Sequence, residues 1–270
     1  MNKSQKVIDK IKEFTINPLA VAAGKRIEQK RFSKEPIIIG ACPRSGTTIL
    51  LSILDAHPNI FGIPNQTYAF DRWQEYLNPE TNETEYRLLR VDRLYREFVK
   101  NKIPPEAVRW LEKTPGHIRS FKKILRYFDD KVKLIHVIRD GRDVVTSKHP
   151  KHRSHDYWVS PARWVREVSM GIELEGHPSV MNVCYEDLIT DFENTMTAIY
   201  IFLNEEPPDS LSSWKEKTSI RKSKHWAAPV QDLYSDAIAR WKKPEHKKRL
   251  DDFMSNEQAV QLLKKLGYDN

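Results

Sequence analysis

The chain has 270 residues, 39% of them hydrophobic, which is enough to bury one sizeable core; we expect a basic helical N-terminal segment over 1–35 and a single domain over 36–270. Cys42 and Cys184 are its only cysteines, which excludes a disulfide framework or a cysteine-built metal cluster and is compatible with a reducing compartment. The net charge of +8 favours anionic partners, yet the basic residues are scattered along the chain, so nucleic acid is not expected among them.

In the N-terminal segment Val7, Ile8, Ile11 and Phe14 fall on one side of a helix surrounded by lysines. That pattern suits a docking helix, and also a peripheral contact with an anionic bilayer. No stretch has the uninterrupted apolar region of a signal peptide or the roughly 20 apolar residues of a membrane span. The expectation is a soluble, cytoplasmic protein, although a truncated Golgi-type enzyme would look the same.

Pro36-Ile37-Ile38-Ile39-Gly40 predicts a parallel strand buried on both faces, and Ile49 to Leu54 an apolar helix start just beyond the small-residue loop that follows. Val108 to Leu111 predicts a second strand, with Ile118, Phe121, Leu125 and Phe128 recurring at helical spacing after it. Val132 to Ile138 and Val180 to Tyr185 predict two more strands, the last followed by a helix marked by Phe192, Met196, Ile199, Tyr200 and Leu203. Residues 71–107 and 204–235 show no strand pattern and are expected to form lids on the acceptor side, and Glu245 to Lys265 reads as helical packing. Strands alternating with helices imply an α/β, three-layer P-loop-like fold: a central, mostly parallel sheet flanked by helices, with ligands at the carboxyl ends of the strands.

Between the first strand and its helix lies Pro43-Arg44-Ser45-Gly46-Thr47-Thr48. A loop of small residues opening a helix aims backbone N–H groups and the positive end of the helix dipole at an anion. The Walker pattern is not met, because five residues separate Gly40 from Gly46 and Thr47 stands where a kinase has its lysine. Arg44 supplies a forked cation in its place. The third strand runs into Arg139-Asp140-Gly141-Arg142-Asp143, with Ser147 eight residues after Arg139. A strand-end guanidinium and a hydroxyl two helical turns on can converge on one dianion.

The first motif resembles the 5′-phosphosulfate loop of sulfotransferases, especially the tyrosylprotein type and its bacterial relatives, and Leu54-Asp55-Ala56-His57-Pro58 continues the resemblance. It implies a donor, 3′-phosphoadenosine 5′-phosphosulfate (PAPS), held by Arg44, Ser45, Gly46, Thr47 and Thr48 on its 5′ side and by Arg139 and Ser147 at its 3′-phosphate. Tyr185, in Tyr185-Glu186-Asp187-Leu188, matches a tyrosine near that 3′-phosphate. The resemblance covers most of the chain from Pro36 to Leu188 and is weak beyond. There Ser223 matches a donor-contacting serine, while Ala228 stands where a lysine would align. Trp226 or Trp241 could stack on adenine, although core packing suits each as well.

Sulfuryl transfer puts charge on the equatorial oxygens and on the departing phosphate, so fixed cations can do its electrostatic work and no metal is required. Arg44 and Lys113 are the candidates, the latter matching a lysine of the family's second loop. Tyrosylprotein enzymes carry a basic glutamate shortly after the His-Pro dipeptide, but this chain has Gly62-Ile63-Pro64-Asn65-Gln66-Thr67, which argues against protein tyrosine. His117 is the leading base, with Asp71 and Glu75 in reserve. The acceptor is expected to be a hydroxyl of a carbohydrate, a lipid-linked glycan or a small alcohol or phenol. The rival readings are a P-loop kinase and a noncatalytic basic module for anionic surfaces.

Overall fold

The run Ile37–Ala41 forms β1 and is buried on both faces. Ile37, Ile39 and Ala41 pack with Leu50, Leu54 and Ile199 on one side of it. Ile38 packs with Phe61, Trp110 and Phe121 on the other. The computed structural model describes residues 17–148, 157–220 and 238–268. After β1 come α2 (Thr47–Asp55) and β2 (Ile60–Gly62), with α1 (Pro18–Arg31) preceding β1. Next are β3 (Trp73–Leu77), β4 (Thr84–Leu88), α3 (Asp92–Lys100), β5 (Arg109–Lys113), α4 (Phe121–Phe128) and β6 (Lys133–Ile138). Then follow α5 (Gly141–Val145), α6 (Pro161–Ile172), β7 (Val180–Cys184), α7 (Tyr185–Thr190), α8 (Phe192–Phe202), α9 (Trp214–Lys217), α10 (Lys247–Met254) and α11 (Glu257–Lys265).

The main sheet has the order β2-β5-β1-β6-β7, and every pairing in it is parallel. The chain leaves central β1 toward one edge and later returns to build the other, so β1 with its neighbours β5 and β6 forms the switch point where α/β sheets bind ligands. The loops after β1, β5 and β6 all open at that one end.

Two elements depart from the sequence reading. β2 is only three residues long, too short to leave a pattern, and it forms the sheet edge. Within 71–107 the chain also makes an antiparallel hairpin of β3 and β4, pairing Trp73 with Leu88 and Leu77 with Thr84. Its strands, Trp-Gln-Glu-Tyr-Leu and Thr-Glu-Tyr-Arg-Leu, are largely exposed and so carry no apolar alternation. The α1 helix docks on this domain: Glu28 accepts hydrogen bonds from Tyr95 Oη at 2.9 Å and Trp110 Nε1 at 3.0 Å. Residues Val7 to Phe14 lie outside the described residues. Among the described residues, no helix is long and apolar enough to cross a membrane.

His136 on β6 is fully buried, bonded through Nδ1 to Asn182 Oδ1 at 3.0 Å. Burial pushes its pKa down to about 4. The unfolded chain therefore takes up a proton at this residue below about pH 6.5 that the folded protein refuses down to about pH 4. Stability is expected to fall as pH drops through that window, by an amount on the order of 1–3 kcal/mol. Urea titrations at pH 7 and pH 5 should show the loss in wild type and a smaller one in His136→Gln.

Candidate active site

The loop between β1 and α2 is built to receive an anion. Arg44 (φ 77°) and Gly46 (φ 88°) both adopt the left-handed conformation, so the intervening N–H groups turn toward a common concavity. Gly46 is also the N-cap of α2 and offers no side chain to its first N–H groups. A side chain could not replace it, since a Cβ there would lie 2.2 Å from the Tyr185 ring. Ser45 Oγ is fully buried with no hydrogen-bond partner among the described residues, and its hydroxyl could donate to a phosphate or sulfuryl oxygen. Thr47 is buried within the same turn.

From β5, paired to β1 with Ile39 opposite Lys113, the Lys113 side chain reaches the loop and donates to Thr48 Oγ1 at 3.2 Å. It is 2% exposed. Desolvation lowers its pKa to about 8, against a partial pull upward from Glu112.

At the end of β6, Arg139 donates from Nη1 to the Arg44 carbonyl at 2.9 Å and stacks 4.5 Å from the centroid of Tyr185. Tyr185, just after β7, thus packs against both Gly46 of the β1–α2 loop and Arg139. Asp143 organises this side. One carboxylate oxygen meets Arg139 Nη2 at 3.6 Å, and the two oxygens accept from the backbone N–H groups of Ala239 and Trp241 at 2.9 and 3.0 Å. The segment so anchored brings in Arg240, which the sequence reading missed. No motif surrounds it, and only the fold carries it to Arg44 and Tyr185. Arg44 keeps solvent access, yet partial desolvation and then the like charges of Arg139 and Arg240 lower its pKa from the ordinary arginine value. Three guanidinium charges that act on one another in this way favour negative charge at this end of the sheet.

Ser147 follows α5, where its hydroxyl donates to the Asp143 carbonyl at 2.7 Å, so Asp143 links it to Arg139. Ser223, Trp226 and Ala228 lie outside the described residues. Trp241 has the Arg142 guanidinium 4.2 Å over its ring, and Arg142 is itself clamped by Asp140. In the Asp55-Ala56-His57-Pro58 segment the polar side chains brace the fold. Asp55 accepts from Gly62 N and from the backbone and hydroxyl of Ser219, and His57 Nε2 meets the Glu206 carbonyl at 3.1 Å.

His117 lies in the 3-10 turn Pro115–Ser120 that follows β5 and pairs with Glu112, which points to the face of β5 opposite Lys113 because successive strand residues alternate. It is fully buried, with Nδ1 2.9 Å from Glu112 Oε2 and Nε2 accepting from Phe70 N at 3.3 Å. Asp71 Oδ1 lies 3.5 Å from the same Nε2 and is open to solvent. Glu75 is on the hairpin, paired with Lys123 at 2.6 Å.

Residues 36–209 match the family model described as "Sulfotransferase family". The chain is 24% identical to protein-tyrosine sulfotransferase A of Caenorhabditis elegans over 268 residues, covering 86% of this chain and 67% of that protein. Its fold is similar to the sulfotransferase domain of the Synechococcus PCC 7002 olefin synthase, with a TM-score of 0.60 at 17% identity over 89% of this chain and 97% of that one. A mouse sulfotransferase complexed with PAP aligns with a TM-score of 0.53 at 15% identity over 94% of this chain and 96% of that one.

Proposed function

Since this chain belongs to the sulfotransferase family, we propose that it moves a sulfuryl group in line from PAPS to a hydroxyl-bearing acceptor, with the donor seated across the ends of β5, β1 and β6. The observation that carries this reading is the β1–α2 loop with its unpartnered, buried Ser45 hydroxyl, held from one side by Arg139 on the Arg44 carbonyl and from the other by the buried Lys113 on Thr48. When bound, PAPS supplies the activated sulfuryl group. The orphaned hydroxyl of Ser45, the first N–H groups of α2 and the hydroxyls of Thr47 and Thr48 suit its 5′ end. Arg139, with Tyr185 and Ser147, suits the 3′-phosphate, and Ser223 is assigned to the same nucleotide by resemblance. Arg44 and Lys113 neutralise the charge that develops on the sulfuryl oxygens and the departing phosphate, in the place a metal would otherwise take.

The favoured acceptors are carbohydrate, lipid-linked glycan or small alcohol or phenol, ahead of peptide tyrosine. Support comes from Asn65 and Gln66, amides in the region where tyrosylprotein enzymes have a glutamate. Asn65 Nδ2 instead donates to Glu97 Oε2 at 3.0 Å.

Calorimetric titration with 3′-phosphoadenosine 5′-phosphate (PAP), ATP and AMP, each with Mg²⁺ or with EDTA, tests the donor site. PAP is expected to bind about 100-fold tighter than AMP, equally well in EDTA. Preference for ATP with Mg²⁺ would point to a kinase. Indifference to all three nucleotides, with salt-sensitive binding to anionic vesicles, would point to a basic surface module.

A further inference from the structure

We propose that Asp71 takes the proton from the acceptor hydroxyl, and that the buried His117–Glu112 pair behind it receives and holds that proton. This rests on the sulfotransferase reading. His117 cannot itself meet an acceptor, because it is fully buried and the Phe70–Asp71 turn covers its Nε2. Asp71 stands between that nitrogen and solvent, which makes it the group of the pair that an acceptor can touch.

The geometry around the ring provides for two protonation states. With Phe70 N–H donating to Nε2 at 3.3 Å, the neutral imidazole must carry its proton on Nδ1, which faces Glu112 Oε2 at 2.9 Å. A proton arriving at Nε2 displaces the Phe70 bond and creates a charge-assisted contact with Asp71 Oδ1, 3.5 Å away. Glu112 is equipped to balance the resulting imidazolium. It is fully buried, and its Oε1 accepts from Thr67 N at 3.1 Å, Thr67 Oγ1 at 2.9 Å and Thr114 Oγ1 at 2.6 Å. Burial opposes its charge, but the attraction of His117 and these hydrogen bonds outweigh it and hold its pKa below the usual glutamate value. The same contacts tie the turn carrying Asp71 to the end of β5, one residue from Lys113, and Tyr68 N donates to Thr114 Oγ1 at 3.4 Å. The charged and titratable groups around the relay are Glu112 from β5, Asp71 and Tyr68 from the turn, and Arg93, whose charge acts on Tyr68.

In the transfer, the acceptor oxygen forms a bond to sulfur while the bond from sulfur to the 5′-phosphate oxygen breaks and its electron pair leaves with the phosphate. The acceptor proton passes to Asp71 and on to His117 Nε2, and it returns to solvent through Asp71 after product leaves.

The test compares wild type with Asp71→Asn, Asp71→Glu and His117→Gln. PAP affinity by calorimetry is expected to stay within about twofold in the Asp71 variants, since neither touches the donor loop. PAPS consumption with water as the acceptor is expected to fall about 10²–10³-fold in Asp71→Asn, with loss of the acidic limb of its pH profile, and to recover partly in Asp71→Glu. His117→Gln should flatten that limb while retaining some turnover. Independently of turnover, imidazole ¹⁵N shifts of His117 at one fixed acidic pH should move toward the neutral Nδ1–H form in Asp71→Asn. Wild-type turnover and unmoved ¹⁵N shifts in Asp71→Asn, with PAP still bound, would overturn the relay alone. Failure of the wild-type protein to bind PAP would remove the sulfotransferase reading and the relay with it.

Discussion

Replacing Lys113 by methionine is expected to lower PAPS turnover by about 10²–10³-fold, the cost of removing one fixed donor from a developing anion. Methionine fills a similar volume, so the effect should come from the lost charge and hydrogen bond rather than from a cavity. The burial that lowers the lysine pKa to about 8 in the free protein also gives the loss a pH signature. Above that pH the ammonium is increasingly neutral, so donor affinity should fall as pH rises through it. Binding an anion favours the charged form, so at pH 8 PAP should draw about half a proton from solvent. Calorimetry in buffers of differing ionisation enthalpy measures that uptake directly. Lys113→Met should abolish both the uptake and the alkaline fall in affinity. If uptake persists in the variant, the titrating group is elsewhere.

Arg139→Ala is expected to weaken PAP binding about 100-fold while weakening AMP binding less than about fivefold, the difference reporting the 3′-phosphate. Some loss for AMP is built in, since Arg139 Nη1 also holds the Arg44 carbonyl and thereby the shape of the phosphate loop. Arg139→Lys should recover only part of the affinity, because an ammonium cannot both fork onto a phosphate and stack on Tyr185. Equal losses for the two nucleotides would assign Arg139 to loop support rather than to the 3′-phosphate. A thermal melt of each variant separates either result from unfolding.

Much of the frame was legible before any coordinates, for a physical reason. A strand buried on both faces is predominantly apolar, so Ile37 to Ile39 and Leu134 to Ile138, interrupted only by His136, announce themselves. A loop that turns N–H groups toward an anion needs residues such as Gly46 at a fixed offset from strand and helix. Short or exposed elements lack such constraints. The three residues of β2 and the solvent-facing β3–β4 hairpin left no periodicity to detect.

The residues of the site divide along the same line. By itself the sequence determined the strand-to-helix loop with Arg44 and Gly46, the strand-end positions of Lys113 and Arg139, and the parallel α/β order that brings their loops to one end, because these depend on local pattern and spacing. Only the tertiary structure decided three things. It carried Arg240 to Arg44 through Asp143, nearly a hundred residues earlier in the chain. It desolvated Lys113 against Thr48. And it buried His117 behind Asp71 rather than leaving it at the surface. Burial, desolvation and contacts between distant segments are properties of the packed chain, and no run of neighbouring residues encodes them.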